Sequence, residues 1–368
     1  MKRIAYLCLS EGWGGLEMNQ LRNAQQMQSR GHEVLLIVNL ESPIQKAAKI
    51  AGIPLYIVAQ KPKYYQWFFA LKLVRFLTKQ SYHHLLFRNN REQSIAASVT
   101  FFSAGKIQTH YFMEMALGGK RTQLYRTWRY ALISTWSCPL PYLKQQVLAQ
   151  TKISNQKLKE IPSGLIFKSK AIADKINARM NLEWPLDQKL IVVVGRIDPK
   201  KRQTFVWDCF VQRTNPDEFL IFVGESTPDE ASVYYRNLRE KVDVHPKNGQ
   251  IIWAGFHEKM ELVYSAADVV ISAADKETVG MVTLEALQNN CPVLGVNNGG
   301  SKEIMELFGG GLCFELNSIT SLSNGIDQIL AGSFPTLNKP YFEQHFDFNR
   351  VCSQVESEVL GLDAPIFQ

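Results

Sequence analysis

Two glutamates, Glu277 and Glu285, bracket a glycine in the segment ETVGMVTLE over residues 277–285. The segment lies between two apolar runs, 269–272 and 292–296, the second of which ends at Gly299-Gly300. An apolar run that breaks into a polar loop and then a helix-prone stretch predicts a strand, a loop and a helix start. Such a helix start presents backbone N–H groups without intrahelical acceptors and the positive end of the helix dipole. That is an anion site, here with one carboxylate on the loop and another a turn or so into the helix. Phosphate would sit on those amides, and the carboxylates would accept hydrogen bonds from ligand hydroxyls. The ligand that suits this pattern is phosphorylated and polyhydroxylated, as a sugar nucleotide is.

A second cluster, GRIDPKK over residues 195–201, also follows an apolar run. Arg196 offers a planar fork of donors and Lys201 a point charge, a pairing that suits a diphosphate. Taken alone it reads as a solvated basic turn. Its place at the carboxyl edge of a strand, on the same rim as Glu277, favours the phosphate reading.

The elements that must position these residues follow a βα rhythm. Apolar runs at 3–9, 34–39, 55–58, 84–87, 106–110 and 132–136 predict strands in the first half. Runs at 190–194, 219–223, 251–254, 269–272, 293–296 and 312–314 predict strands in the second. Runs that are apolar throughout, without alternation, indicate parallel sheets covered on both faces. The expected class is α/β, with two doubly wound Rossmann-like domains facing across a deep cleft. The expected domains are 1–164, 165–340 and a C-terminal helical segment, 341–368, packing back on the first. The join falls at Ile161-Pro162-Ser163-Gly164, where proline and glycine punctuate the chain.

Composition sets further bounds. The chain has 368 residues, 46% of them hydrophobic, enough for two domains of ordinary size. Its six cysteines are scattered without a C-x-x-C pair, which indicates reduced thiols in the cytoplasm. The apolar start at 4–9 is too short for a signal peptide and reads as the first strand. Residues 1–164 carry 22 basic and 7 acidic side chains, a balance of +15, while the remainder carries 19 against 27, a balance of −8. A basic half suggests an anionic partner: a bilayer surface, a phosphorylated acceptor or nucleic acid. No nucleic-acid module accompanies it, so nucleic acid is not expected. The segment 61–79 is basic and aromatic, with Tyr64, Trp67, Phe68, Lys72, Arg75 and Lys79 placed to meet an anionic membrane. An ordinary core-facing helix is the plain alternative.

With these residues set out, the chain resembles a retaining glycosyltransferase of the GT-B fold, family 4 type, over nearly its full length. The resemblance rests on E-x7-E at 277–285 with Pro292, Gly299-Gly300 and Glu303, and on G-R-x4-K at Gly195, Arg196 and Lys201. It rests also on Gly14-Gly15-Leu16-Glu17 with Gly31-His32-Glu33-Val34, and on Ile161-Pro162-Ser163-Gly164. It implies that Arg196 and Lys201 hold the nucleotide diphosphate, with the backbone N–H groups of Val279, Gly280 and Met281 adding to that hold at the helix start. Glu277 would meet the donor sugar and Glu285 the ribose, and Gly14 and Gly15 would allow close backbone approach. His110, at the end of the fifth strand, matches the family's active-site histidine. The plain alternatives are a surface helix residue for Glu285, a buried core histidine for His110 and a turn without ligand for Gly14-Gly15. His32, His83 and His84 read as structural.

Three departures stand out. Thr278 and Val279 replace commoner residues of the sugar loop, Arg202 stands where glycine usually follows the lysine, and Phe87-Arg88-Asn89-Asn90-Arg91 stands where relatives have histidines. Arg88 and Arg91 are placed to grip an acceptor phosphate or carboxylate, or else open a basic helix.

The function implied is transfer of a hexose from a UDP- or GDP-linked donor to a glycan or lipid-linked acceptor. The setting implied is cell-surface polysaccharide or lipopolysaccharide assembly, in the cytoplasm or peripheral on the cytoplasmic face of the inner membrane. No cofactor is expected, and no metal, since the sequence has no D-x-D. The alternatives are a nucleotide-sugar epimerase of the same fold and a non-catalytic partner subunit. A dinucleotide oxidoreductase lacks its G-x-G-x-x-G.

Overall fold

In the structure, a computed structural model, residues 1–59, 67–167, 174–226, 230–275 and 277–362 are described. The chain forms two units, Met1–Gly164 with Phe348–Gln368, and Leu165–Asp347.

The first unit holds a seven-stranded parallel sheet. Its strands are β1 (Arg3–Cys8), β2 (Glu33–Asn39), β3 (Leu55–Val58), β4 (His84–Phe87), β5 (Gln108–Phe112), β6 (Thr135–Cys138) and β7 (Leu158–Glu160). They lie in the order β3-β2-β1-β4-β5-β6-β7. The register runs Tyr6 beside Leu36 on one side and Leu86 on the other. Tyr6, Leu36 and Val38 bury one face against Ala24 and Met27 of the helix Gly15–Ser29. Phe348, Val351 and Val355 of the C-terminal helix Phe348–Glu358 join that core.

The return of the C-terminal segment is held by chemistry as well as packing. Arg30 Nη2 lies 2.6 Å from Glu356 Oε2, and His32 Nε2 lies 2.9 Å from Glu356 Oε1. The hydrogen bond from Arg30 holds the Glu356 carboxyl below its ordinary range. A Cβ on Gly164 would stand 2.3 Å from Phe348 Cδ2, so the glycine of the hinge motif is required where this helix comes home. The expected boundary at 341 needs correcting. The helix Lys339–Phe346 stays with the second unit, because Phe342 and Phe346 pack on Phe308 with ring centroids 5.7 and 5.2 Å away.

The second unit holds a six-stranded parallel sheet of β8 (Lys189–Val194), β9 (Glu218–Val223), β10 (Ile251–Gly255), β11 (Val269–Ser272), β12 (Val293–Val296) and β13 (Gly311–Phe314). The order is β10-β9-β8-β11-β12-β13. Ile191, Val193, Phe222 and Ile271 form its core with Trp207, Phe210 and Phe314. In each sheet the order reverses between two adjacent strands, β1 and β4 in the first, β8 and β11 in the second. Ligands of open α/β sheets bind outside the carboxyl ends of strands at such a point.

Three strands of the first sheet differ from expectation. One answers to the run at 132–136, where β6 spans Thr135–Cys138 because residues up to Leu132 belong to the preceding helix. The run at 106–110 is displaced to Gln108–Phe112, because residues 103–106 close the preceding helix instead. There Ala104 and Gly105 take positive φ of 49° and 76°, and Ser103 Oγ accepts from the Ile107 amide at 3.2 Å. The strand at 158–160 carries too short an apolar run to be read from sequence. All six cysteines are free thiols, five of them buried.

Candidate active site

The second unit's switch point carries the two clusters read from the sequence. Gly195 leaves β8 at φ 131°, a conformation that L side chains rarely adopt, and the Lys201 chain passes over it. Asp198 organises the loop: Oδ1 accepts from the Lys200 amide at 2.8 Å, and Oδ2 receives Arg196 Nε at 3.0 Å and Nη2 at 2.5 Å. The Arg196 guanidinium is half exposed and held in place, with two of its five N–H donors committed in this way. Lys201 Nζ reaches across to Glu277 Oε2 at 2.7 Å. The loop after β8 and the loop after β11 are thereby joined by an ion pair at the strand ends.

Arg202 takes φ 58° and ψ 36°, the left-handed region that explains why glycine usually stands there. Its guanidinium lies over the Phe205 ring at 4.5 Å and bonds Asn317, contacts that offset the backbone cost.

After β11 the chain turns at Gly280, φ 74°, to start the helix Met281–Gln288. The Glu277–Val279 stretch is supported from below by the helix Gly299–Phe308. The Gly300 amide donates to the Glu277 carbonyl at 3.0 Å. A Cβ at Gly300 would stand 2.6 Å from the Thr278 carbonyl oxygen, so the glycine pair exists to let this loop sit down on the helix. One turn into the helix, Glu285 Oε2 accepts from Tyr264 Oη at 2.8 Å. Burial and the Glu285 charge push the Tyr264 hydroxyl well up, keeping it a neutral donor. The structure therefore brings Gly195, Arg196, Lys201, Glu277, Val279, Gly280, Met281 and Glu285 to the adjoining ends of β8 and β11.

In the first unit, Gly14 and Gly15 head the helix that follows β1. A Cβ on Gly15 would meet nothing within 4 Å, and one on Gly14 only Glu17 Oε2 at 3.6 Å. The fold does not require either glycine. The space in front of them is open.

The expected place of His110 at a strand end is corrected by the shifted β5. His110 is the middle residue of that strand, buried, with Nε2 3.2 Å from His84 Nδ1. Burial pushes its pKa down to about 3, and that of His84 to about 4. The cavity it borders is lined by Lys2, Lys106 and Ser134, residues that precede strands, so it opens on the amino edge of the sheet. At the carboxyl end of β5 stands Glu114, which sequence reasoning missed. It pairs with Arg88 and accepts from Asn19 Nδ2 at 3.2 Å. Its only signal was a lone acid just past an apolar run. Burial raises the Glu114 carboxyl above its ordinary value in spite of the Arg88 charge.

Arg88 and Arg91 are not brought together. Arg88 is buried, with its guanidinium over the Phe112 ring at 5.1 Å, whereas Arg91 is exposed between two cavities. Tyr64, Lys61 and Lys63 lie outside the described residues. The rest of the basic aromatic segment forms the helix Trp67–Lys79, burying Ala70, Leu73 and Leu77 and exposing Trp67, Phe68 and Leu71. Among the described residues no helix is long and apolar enough to cross a membrane.

Two Rossmann-like units with these strand orders and this switch-point geometry define the GT-B class of fold. HepE from Anabaena, solved with UDP and glucose, superposes with a TM-score of 0.82 at 18% identity, covering 98% of this chain and 100% of that one. The lipopolysaccharide outer core galactosyltransferase WaaB superposes with a TM-score of 0.73 at 14% identity, covering 98% and 99%. Residues 174–341, which lie within the second unit, match the family model of glycosyl transferases group 1. A probable sucrose-phosphate synthase of Thermosipho melanesiensis is 30% identical over 127 residues, 34% of this chain. The chain spans 30–40% of the length of the curated relatives it matches.

Proposed function

We propose that this protein is a retaining, metal-independent glycosyltransferase that moves a hexose from a nucleoside-diphosphate sugar to a glycan or lipid-linked acceptor. The observation that carries the reading is the Lys201–Glu277 pair, 2.7 Å apart, beside Arg196 and the Gly280-headed helix at the ends of β8 and β11. A diphosphate laid there meets two cations and a helix start. A sugar attached to it meets a carboxylate held in position by the lysine.

Bond breaking at the anomeric carbon puts negative charge on the departing diphosphate. Preorganised donors aimed at that charge are the largest catalytic contribution expected. Arg196 is held by Asp198 and Lys201 by Glu277, so the donors need little reorganisation as charge develops. Glu285, one turn into the helix and bonded by Tyr264, is the carboxylate placed to accept from ribose hydroxyls. The family resemblance supports retention by front-face attack, with the leaving phosphate helping to take the acceptor proton.

UDP is the favoured nucleotide, because HepE, similar over its whole length, binds it. The similarity to WaaB supports a place in lipopolysaccharide or polysaccharide assembly. Attachment to the cytoplasmic face of an anionic membrane is supported by the exposed Trp67 and Phe68 beside exposed Lys72 and Arg75.

The test is donor turnover in the presence of EDTA across a panel of nucleotide sugars. Wild type should release nucleoside diphosphate, and Lys201→Ala should lower kcat by about 10²–10³-fold, the scale of losing one preorganised donor. Wild-type turnover in Lys201→Ala would remove the motif from the mechanism. A changed sugar still bound to its nucleotide would mark an epimerase instead.

A further inference from the structure

On the carboxyl side of β4 and β5 the first unit holds a half-open cavity of 580 Å³. That lies within the range of about 300–1,000 Å³ usual for small-ligand sites. Four arginines line it: Arg91 from the turn after β4, Arg121 from the loop after β5, and Arg126 and Arg129 from the helix Leu124–Leu132. Among the described residues none of the four forms an ion pair with a carboxylate, and no acidic side chain lines the cavity.

The other polar groups here also offer donors. Asn90 Oδ1 already accepts from Tyr111 Oη and from Gln93 Nε2 at 3.2 Å, which leaves Asn90 its amide N–H groups to offer. Arg126 Nε donates to Tyr125 Oη at 2.8 Å, so the Tyr125 hydroxyl hydrogen remains to be donated. Arg129 Nη1 is tied to Ser94 Oγ at 2.9 Å, while its Nε is enclosed with no hydrogen-bond partner among the described residues. An enclosed N–H without an acceptor costs free energy until something supplies one. Four guanidinium groups turned toward one space repel one another until an anion enters. Their planar forks match the oxygens of phosphate.

We propose that this cavity binds a phosphate or pyrophosphate group of the acceptor. The ligand is then the second substrate of the transfer proposed above, on which this assignment rests. A concave site of this volume takes one compact polyanion and its immediate substituents. A polymer backbone would call for a stripe. The four arginines are four of the 22 basic side chains of residues 1–164. The cavity explains why Arg91, and not the buried Arg88, is the acceptor residue of the pair read from the sequence.

Binding of inorganic pyrophosphate by calorimetry tests the assignment, in wild type, Arg121→Gln/Arg126→Gln, Arg129→Gln and Lys201→Ala. The double variant removes two charges and no buried hydrogen bond to the sheet, so it keeps the test open if Arg129→Gln fails to fold. Each lost charge-assisted contact is expected to weaken pyrophosphate by about tenfold. UDP affinity in the double variant should stay at the wild-type value, which separates this site from the nucleotide site. Pyrophosphate affinity unchanged in the double variant would overturn the proposal, as would its loss in Lys201→Ala alone. Loss of UDP binding in Lys201→Ala, or its persistence, reports on the nucleotide reading independently. Geranyl pyrophosphate and glucose 6-phosphate, compared in the same variants, name the source. Whichever binds more tightly than pyrophosphate and loses that margin in the double variant identifies a lipid-linked or a soluble acceptor. Failure of all three phosphates to bind wild type would contradict the assignment.

Discussion

Lys201 and Glu277 are 76 positions apart in sequence and 2.7 Å apart in the structure, and each is the reason the other is held still. The glycines around them divide into two kinds that a sequence does not distinguish. Gly300 is required by packing, since a Cβ there would stand 2.6–2.8 Å from the backbone of Thr278 and Val279. Gly300→Ala should cost about 1–3 kcal/mol, as overpacking does, and thermal or urea unfolding measures it. Gly15 faces open space and begins a helix, so Gly15→Ala should leave the protein as stable as before or more so by about 0.4–1 kcal/mol. Activity should fall nevertheless, if the space is kept for a ligand. A destabilised Gly15→Ala protein, or an active one, would show that the glycine serves the turn alone. The donor residues were legible because each sits within a few positions of an apolar run, where chain direction alone sets its place. Glu114 and the arginine cavity were not legible, since three separate segments bring those side chains together.

At the scale of elements, a shift of two residues in one strand decides the role of a histidine. The run at 106–110 is apolar enough to predict a strand, but Ala104 and Gly105 at positive φ close the preceding helix and delay it to Gln108. His110 therefore faces the interior with His84, and its chemistry is that of the fold. Its pKa is pushed down to about 3 by burial, so the folded state holds it neutral while the unfolded chain takes up a proton below about pH 6.5. Stability from this group is complete above pH 6.5 and is lost as pH falls toward the folded value, about 2 kcal/mol of it by pH 5. Denaturant unfolding as a function of pH should show that acid limb flattened in His110→Gln. An unchanged limb would mean that His110 is not held neutral. The other strands, β6 apart, were legible almost to the residue because buried parallel strands are apolar throughout. Strand β6 lies at Thr135–Cys138 and not at 132–136, since residues up to Leu132 close a helix. The strand at 158–160 was not, being three residues at a sheet edge. The return of the C-terminal helix at Phe348 was legible only as a tendency. Helices Lys339–Phe346 and Phe348–Glu358 follow one another with a single residue between them and each buries an apolar face, so the pattern does not say which core accepts which.

For the molecule as a whole, the uneven charge, +15 on residues 1–164 and −8 on the rest, was plain from composition, while its division between an arginine-lined cavity and an aromatic helix face was not. Exposed Phe68 and Trp67 stand on one helix of this unit, and exposed Phe101 and Trp128 meet at 5.7 Å between two others. Vesicles with anionic lipid should bind the protein, and the binding should weaken as salt rises past the range where the Debye length is about 10 Å. Replacing Trp67 and Phe68 with serine should reduce it, as flotation would show, and equal partition onto neutral vesicles would count against an electrostatic surface. The central claim, that the ends of β8 and β11 hold a nucleotide sugar by its diphosphate, is tested most directly by thermal shift. UDP, GDP, ADP and CMP would be titrated into wild type and Lys201→Ala. One nucleoside diphosphate, with UDP the favoured one, should stabilise wild type by about 2.7 kcal/mol at one hundred times its Kd. At the same concentration it should stabilise Lys201→Ala far less. No shift with any nucleotide, or an equal shift in the two proteins, would contradict the account.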